Sequence, residues 1–437
     1  KSGYTSYLVG RPSLEVCKAP GPDFLWEGYD GTCIPVHLAA EGYNSGLGKV
    51  RRKLEYYRRQ EGTDNSVLAL WGIGNHGGGP SKEDLDEISL LQKEWEKEGV
   101  QLIHSTPEMY FDSISGSELP LFDREIGPSM PGCYTSQVRI KQTHCLLENM
   151  LYQTEKLLAA AEIFTGMEGD WESLKQAEEI LLFNEFHDIL PGTSVQRAED
   201  AALREMGGAI SLLEKEKTRA FMHLCRQTEK LEPGVIPIFA CNPHPWPVKA
   251  VLECEFQLQD QGWDYTYTDF EVRYQGEVIP SQLEKEGSSI PLDWRKRLVF
   301  MADIPPFATA ALYAYPKVLT GKPELPQTIE SEIRLEGSGG ELIIDKKSGL
   351  ISSYRIDGIS LFCPGAARLV VIADNEDPWG MTVNSFPEII GEFTPASPEQ
   401  AGKICGLDKA IDPVHIIEHG PVRTVVEAIF LYKRSAA

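Results

Sequence analysis

A chain of 437 residues that is 42% hydrophobic and 9% aromatic carries enough apolar material for more than one core, which excludes a disordered chain. Its 65 acidic against 42 basic residues give a formal charge of −23, which repels phosphate backbones and anionic membrane surfaces. Nucleic acid and membrane are therefore excluded as partners, and a neutral, hydroxyl-rich ligand such as a sugar suits the charge better.

From Asn65 to Ile114 the pattern alternates. An apolar run at Val67 to Ile73 reads as a strand and is followed by a glycine-rich turn. A helical stretch from Ser81 to Gly99 follows, then a second strand-like run at Val100 to Ile103. Ser81 with Asp84 resembles a capping box, and Gly99 is placed to end the helix. The preceding helix, Lys49 to Gln60, is basic on most faces and reads as a solvated outer helix. Next comes a helical region. Thr135 or Ser136 is the expected cap of one segment, Asp170 of a second, and Thr193 with Gln196 of a long third running to about Leu231. Short breaks between them suggest an antiparallel three-helix bundle.

After Pro233 the text turns to strands at Val235 to Ala240, Val248 to Phe256, Asp269 to Tyr274, Leu298 to Ala302 and Thr309 to Tyr315, punctuated by prolines. Gly321 to Gln327 reads as a linker. A second all-β region follows, with strands expected at Glu341 to Ile344, Ile351 to Ile356, Ala367 to Ile372 and Val422 to Tyr432. The expected architecture is thus multidomain: an α/β part over residues 1–126, a helical bundle over 127–232, a small antiparallel β-sandwich over 233–322, and the start of a larger one over 323–437.

Nine cysteines, an odd number without a C-x-x-C pair, favour free thiols in a reducing, cytoplasmic compartment over disulfides or a cysteine-based zinc site. No run approaches the roughly 18 apolar residues of a membrane span. The Lys1 start and the ending at Ala437 soon after a strand-like run read as truncation at both ends.

Four stretches carry residue types suited to chemistry. His187-Asp188 lies at the end of a helix, just before the Pro191-Gly192 break. A histidine there is favoured as a cation by the helix terminus, or, held by packing against Phe186 and Ile189, serves as a pre-oriented metal ligand. The cluster Gly74-Asn75-His76-Gly77-Gly78-Gly79-Pro80 is either a turn needing positive φ or a loop that lets a sugar approach the backbone, with Asn75 and His76 reaching hydroxyls. A phosphate loop is excluded, because no G-K-[ST] follows. The stretch Asp23 to Thr32 reads as a hairpin about Asp30-Gly31 with Trp26 in the core, or as an aromatic platform beside a carboxylate. Asp374 to Gly380 has the same mixed character and reads as a surface loop.

Five blocks in order, PDFLWEGYDGTCIPVH (Pro22 to His37), GIGNHGGGP (Gly72 to Pro80), GCYTS (Gly132 to Ser136), NEFHDILPGTS (Asn184 to Ser194) and DKKSGLISSYRIDG (Asp345 to Gly358), resemble glycoside hydrolase family 38, the α-mannosidases, in its bacterial and cytosolic-type branch. The resemblance implies that the α/β part is the remnant of a βα-barrel-like catalytic domain. It implies Zn2+ as cofactor with His187 as a ligand, Asp188 in the same site, and retaining hydrolysis of terminal α-D-mannosyl residues from oligosaccharides. Tyr43, Trp26 and Asp30 are implied substrate contacts. Asn75 or His76 is expected to line the sugar site, where many relatives carry an aspartate. The family's H-x-D zinc ligands and nucleophilic aspartate match nothing here and are expected upstream, so the piece alone is expected to be inactive. The alternative is a carbohydrate-binding relative that has lost the nucleophile. A homo-oligomer is compatible with either.

Overall fold

A computed structural model describes residues 3–39, 41–60, 62–63, 65–74, 78–127, 129–226, 231–263, 266–288, 292–326, 330–337, 339–374, 377–380, 385–433 and 435–436. Helices and many antiparallel sheets are mixed in two compact units. One is Lys1–Gly132 with Trp379–Asn384, the other Cys133–Pro378 with Ser385–Ala437. Among the described residues no helix is long and apolar enough to cross a membrane.

In the first unit, β1 (Tyr7–Val9), the single turn α1 (Leu14–Cys17), β2 (Asp23–Glu27) and β3 (Cys33–Leu38) precede α2 (Val50–Tyr57), α3 (Lys82–Glu96), α4 (Pro107–Ser113) and β4 (Leu121–Phe122). The sheet order is β1-β3-β2-β4, with β1 parallel to β3 and β4 parallel to β2 around the antiparallel β2–β3 hairpin. Strand alternation separates two cores. Val9, Phe24, Val36, Leu38 and Phe122 share one cluster, whereas Leu8 joins Leu68, Tyr110, Phe111 and Ile114 in another.

Between the two clusters lies a buried polar hub. His37 and Asp23 are paired across β3 and β2, and the Nδ1 of His37 lies 2.7 Å from an Asp23 oxygen. The same carboxylate accepts hydrogen bonds from the Tyr110 hydroxyl and from Thr63.

Two strand expectations are corrected. Residues 67–72 and 100–103 have no regular secondary structure and lie outside every ladder; at the first run only Ile73 makes isolated bridges, to Ser45 and Gly79. Leu68 and Leu70 pack toward α4, while Ala69 and Trp71 pack with Val100, Leu102 and the α2–α3 core. Alternating apolar residues signalled burial on two sides, which does not require a strand neighbour.

Helix α2 is also no solvated outer helix, because Val50, Lys53, Leu54 and Tyr57 are buried, and Val50 and Leu54 pack with Ile88, Leu91 and Trp95 of α3. Its arginines occupy the other side, Arg51 on Glu87 and Glu94, Arg58 on Glu98 and over the Trp95 ring. Half of the expected α3 capping box forms: Ser81 accepts from the Asp84 amide, while the Asp84 carboxylate accepts from the Ser81 hydroxyl rather than its amide. The Asp84 carboxylate, fully buried, also accepts from the Val50 amide and so ties the starts of α2 and α3 together.

The second unit opens with α5 (Val138–Thr165), α6 (Trp171–Asn184) and α7 (Gln196–Leu224). Ile140, Leu147, Met150, Ala177, Leu181, Ala202, Met206, Ala209 and Leu213 form one core from all three, at the three- and four-residue spacing of helical stripes. Asp170 caps α6 as expected, through the Ser173 amide. The other two caps differ. Gln137, in the left-handed region at φ 48°, precedes α5, and Val195 precedes α7, neither with a side-chain cap bond. The hydroxyls of Ser136 and Thr193 make longer-range bonds instead.

Next come β5 (Ile236–Asn242), β6 (Val248–Gly262), β7 (Tyr267–Tyr274), β8 (Glu277–Ile279), β9 (Ser281–Glu284), β10 (Asp293–Ile304) and β11 (Ala308–Leu319). Sheets β6-β10-β9 and β5-β11-β7-β8 share one core of alternating residues, among them Leu298, Phe300 and Ala302 of β10 and Ala310, Leu312 and Ala314 of β11. A meander follows, β12 (Glu332–Gly337), β13 (Gly340–Asp345), β14 (Ile351–Ile356) and β15 (Ile359–Ser360). Further short antiparallel pairs include Val414–His419 with Thr424–Ala428. The turn of this last hairpin sits on the edge strand β9. Gln282 accepts from the Val422 and Arg423 amides, and the Arg423 guanidinium makes two bonds to the carboxylate of Glu284, whose side chain is 2% exposed.

Candidate functional site

Helix α6 ends at Asn184, and Pro191, which has no N–H to donate, keeps the chain from resuming it. The segment closes instead as successive turns, with the Ile189 and Leu190 amides on the Phe186 carbonyl and the Gly192 amide on that of Ile189. His187 projects from the first turn with its side chain 64% exposed, its ring 4.2 Å from that of Phe186 and its Nε2 3.6 Å from an Asp188 oxygen. The expected packing of this histidine is corrected: Phe186 is itself 52% exposed, and it is Ile189 that reaches the helical core. What fixes the imidazole is the backbone beneath it.

That backbone is held from three sides. The other Asp188 oxygen accepts from the Thr193 hydroxyl at 3.1 Å, and the Asp188 carbonyl accepts from the Thr193 amide. The Lys141 ammonium donates to the carbonyls of Leu190 at 3.0 Å and Ser136 at 2.5 Å, and Gln137 donates to that of Ser194. Burial lowers the Lys141 pKa, with the nearby Cys133 acting in the opposite sense. Gly192 lies at φ 77°, and a Cβ there would stand 2.2 Å from the Ser136 carbonyl oxygen. Gly192→Ala is therefore expected to cost about 2–4 kcal/mol through strain and overpacking. Thermal melts of the two proteins check this, and equal midpoints would mean that the turn does not close on Ser136.

In the first unit the structure brings the loop that carries Tyr43 against the glycine-rich segment. Asn44 donates its amide to the Gly74 carbonyl at 2.8 Å, the Ser45 amide donates to Gly72, and the Gly72 amide donates to the Ser45 hydroxyl. Tyr43, 50% exposed, thus projects from a loop clamped to the glycine-rich segment. Asn75 and His76 lie outside the described residues. Of the described glycines in that segment only Gly72 has positive φ. Gly78 is needed for close approach, since a Cβ there would lie 1.5 Å from the Ile73 oxygen.

Trp26 and Asp30 belong to the hairpin, where the Thr32 amide bonds to Asp30 and Asp30 is exposed. Trp26 is half-buried, stacks on Tyr7 and donates its indole N–H to the Arg124 carbonyl. The Asp345 block is a turn between β13 and β14, closed by Ser348 on the Asp345 carboxylate.

A protein zinc site takes four ligands, or three and an open position. Among the described residues no group of three His, Cys, Asp or Glu side chains is placed to hold a metal ion, so His187 and Asp188 do not complete such a shell. Lys53, Lys141 and the Asp23 hub escaped the sequence reading. For Lys53 a signal existed: positions 50, 53, 54 and 57 share one face of a helix whose other members there are apolar.

Comparison with known proteins adds the following. The family model described as Alpha mannosidase middle domain matches residues 130–224, which include the His187–Asp188 turn. Alpha-mannosidase G of Dictyostelium discoideum is 32% identical over 187 residues, covering 41% of this chain and 17% of that protein. Human Alpha-mannosidase 2C1 is 27% identical over 252 residues, covering 56% of this chain and 24% of that protein. The chain therefore spans about a fifth of the length of these curated relatives. The crystal structure of an alpha-mannosidase from Enterococcus faecalis superposes with a TM-score of 0.55 at 16% identity, over 85% of this chain and 50% of the other, and so shares the fold.

Proposed function

We propose, from its likeness to the α-mannosidases of glycoside hydrolase family 38 in its middle domain and in its curated relatives, that the chain is part of such an enzyme and that the protein hydrolyses terminal α-D-mannosyl residues of oligosaccharides by a retaining, zinc-dependent route. The observation that carries the reading is an exposed imidazole on a fixed turn inside the matched middle domain. A histidine with 64% exposure contributes little to packing, yet its turn is held by Lys141, Thr193, Gln137 and an obligatory glycine. Such a frame suits a side chain that must meet something.

In this proposal His187 is one zinc ligand, with the rest of the shell drawn from outside the described residues. Asp188 keeps one oxygen on Thr193 and turns the other toward His187, which suits a contact to a sugar hydroxyl. Tyr43, Trp26 and Asp30 are assigned to the sugar-facing set, together with Asn75 or His76. The proposed arrangement is a βα-barrel-like catalytic part to residue 126, the helical bundle to 232, and two β-sandwich regions beyond, in a cytoplasmic protein.

The test uses the full-length protein that contains this chain. It is expected to release mannose from an aryl α-D-mannoside, to lose that activity on chelation and to regain it with zinc. Retained mannoside binding without turnover at any metal loading would sink the hydrolase and leave a carbohydrate-binding relative.

A further inference from the structure

Lys53 stands in the middle of the buried face of α2, 9% exposed, where Val50 and Leu54 enter the helix–helix core and Tyr57 is buried as well. Taking an ammonium out of water is costly, and burial indeed lowers its pKa, with Glu41 acting in the opposite sense. The site is built to hold it. Nζ donates to the carbonyl oxygens of Glu41 at 3.2 Å, Gly42 at 3.0 Å and Asn44 at 2.7 Å, so the three N–H groups meet three acceptors of one loop. The Glu41 amide meanwhile donates to the Tyr57 hydroxyl from the same helix face.

The loop passes this constraint on. Asn44 holds the Gly74 carbonyl, and Ser45 exchanges two bonds with Gly72. Tyr43 is the one residue between Gly42 and Asn44, both of which Lys53 grips.

We infer that Lys53 is a positioning residue of the sugar site: a buried ammonium that shapes the 41–45 loop and, through Asn44 and Ser45, sets the glycine-rich segment at Gly72 to Gly74. It touches no substrate. The inference rests on the reading above that Tyr43 and the glycine-rich segment face the sugar. The bland alternative is a lysine that merely completes the core. The two differ in where damage falls, because α2 is docked independently through Val50, Leu54 and the bond from its first amide to Asp84. Loss of the ammonium should therefore loosen the loops and leave the helix pair in place.

The experiment compares Lys53→Met and Lys53→Gln with wild type in the full-length protein. In Lys53→Met, hydrogen exchange at the Ser45 and Ile73 amides is expected to quicken about tenfold or more, with α3 unchanged and Lys53→Gln, which keeps two donors, in between. Hydrolysis of an aryl α-mannoside is expected to fall about tenfold or more in kcat with KM moving much less, the signature of a misplaced site. Unchanged exchange in the two loops, a uniform rise across the unit, or kcat within twofold of wild type would each overturn the assignment. So would failure of both variants to fold. A wild-type protein without mannosidase activity but with the same localised exchange change would sink the proposed function and leave Lys53 as the clamp of these loops.

Discussion

Replacing His187 by alanine in the full-length protein is expected to lower kcat/KM on an aryl α-mannoside by about 10³-fold or more, a loss of about 4 kcal/mol of transition-state stabilisation. The melting temperature should barely move. The side chain is 64% exposed and among the described residues it meets the half-exposed Phe186 ring and an Asp188 oxygen at 3.6 Å, so its removal opens no cavity and strands no buried group there. Exposed substitutions of that kind stay within about 0.5 kcal/mol. If His187 were only a cation at the end of α6, alanine would cost the about 0.3–1 kcal/mol of a helix-terminus interaction and leave turnover intact. Activity within threefold of wild type, at unchanged zinc content, would remove His187 from the site.

The second large effect concerns stability. Asp23→Ala is expected to destabilise the first unit by about 3–5 kcal/mol, because it strips the acceptor from groups that cannot reach water. His37 is 3% exposed and Tyr110 6%, and among the described residues the buried Nε2 of His37 has no hydrogen-bond partner. The effect also has a definite pH sense. Burial alone raises the Asp23 pKa, but the bond and charge of His37, with the hydroxyls of Thr63 and Tyr110, outweigh it, so the folded value lies below the usual carboxylate value. The stabilisation is accordingly complete above the unfolded pKa of about 3.9 and disappears as pH falls through the folded value. Melting curves of wild type and Asp23→Asn should be furthest apart at neutral pH and converge in acid. A gap that stayed constant down to pH 3 would exclude an ionised Asp23 as its cause.

The helices and most strands of the second unit were legible because each obeys a one-sided pattern. Leu298, Phe300 and Ala302 alternate into one core, and Ala202, Met206, Ala209 and Leu213 follow a helical stripe. The first unit was harder to read. Leu68 to Trp71 alternate as a strand does, yet face two separate cores and join no ladder, and burial leaves the same mark on sequence as pairing. The caps expected at Ser136 and Thr193 failed for another reason: those hydroxyls bond to Pro378 and Asp188, partners 242 and 5 residues away that no local spacing rule anticipates. His187 and Asp188 were visible as a pair, but the frame that makes them a site was not. Lys141, 49 residues from the Leu190 carbonyl it holds, is an ordinary helix lysine until the chain is folded.

The seat of the 419–424 turn on β9 bears on how this protein can be divided. Were the chain cut in the stretch between β11 and β12, the seven-stranded part would lose the hairpin turn seated on Glu284, whose side chain is 2% exposed in the intact chain, together with the guanidinium that pairs with it. Gln282 would likewise lose the two amides it now accepts from. The cut would thus open a polar interface to water and break a two-bond guanidinium–carboxylate pair, the stronger kind of hydrogen-bonded ion pair. The connecting stretch is therefore a linker in sequence only. The two β regions are tied through β9, and a variant library or expression boundary placed between them would cut across these bonds.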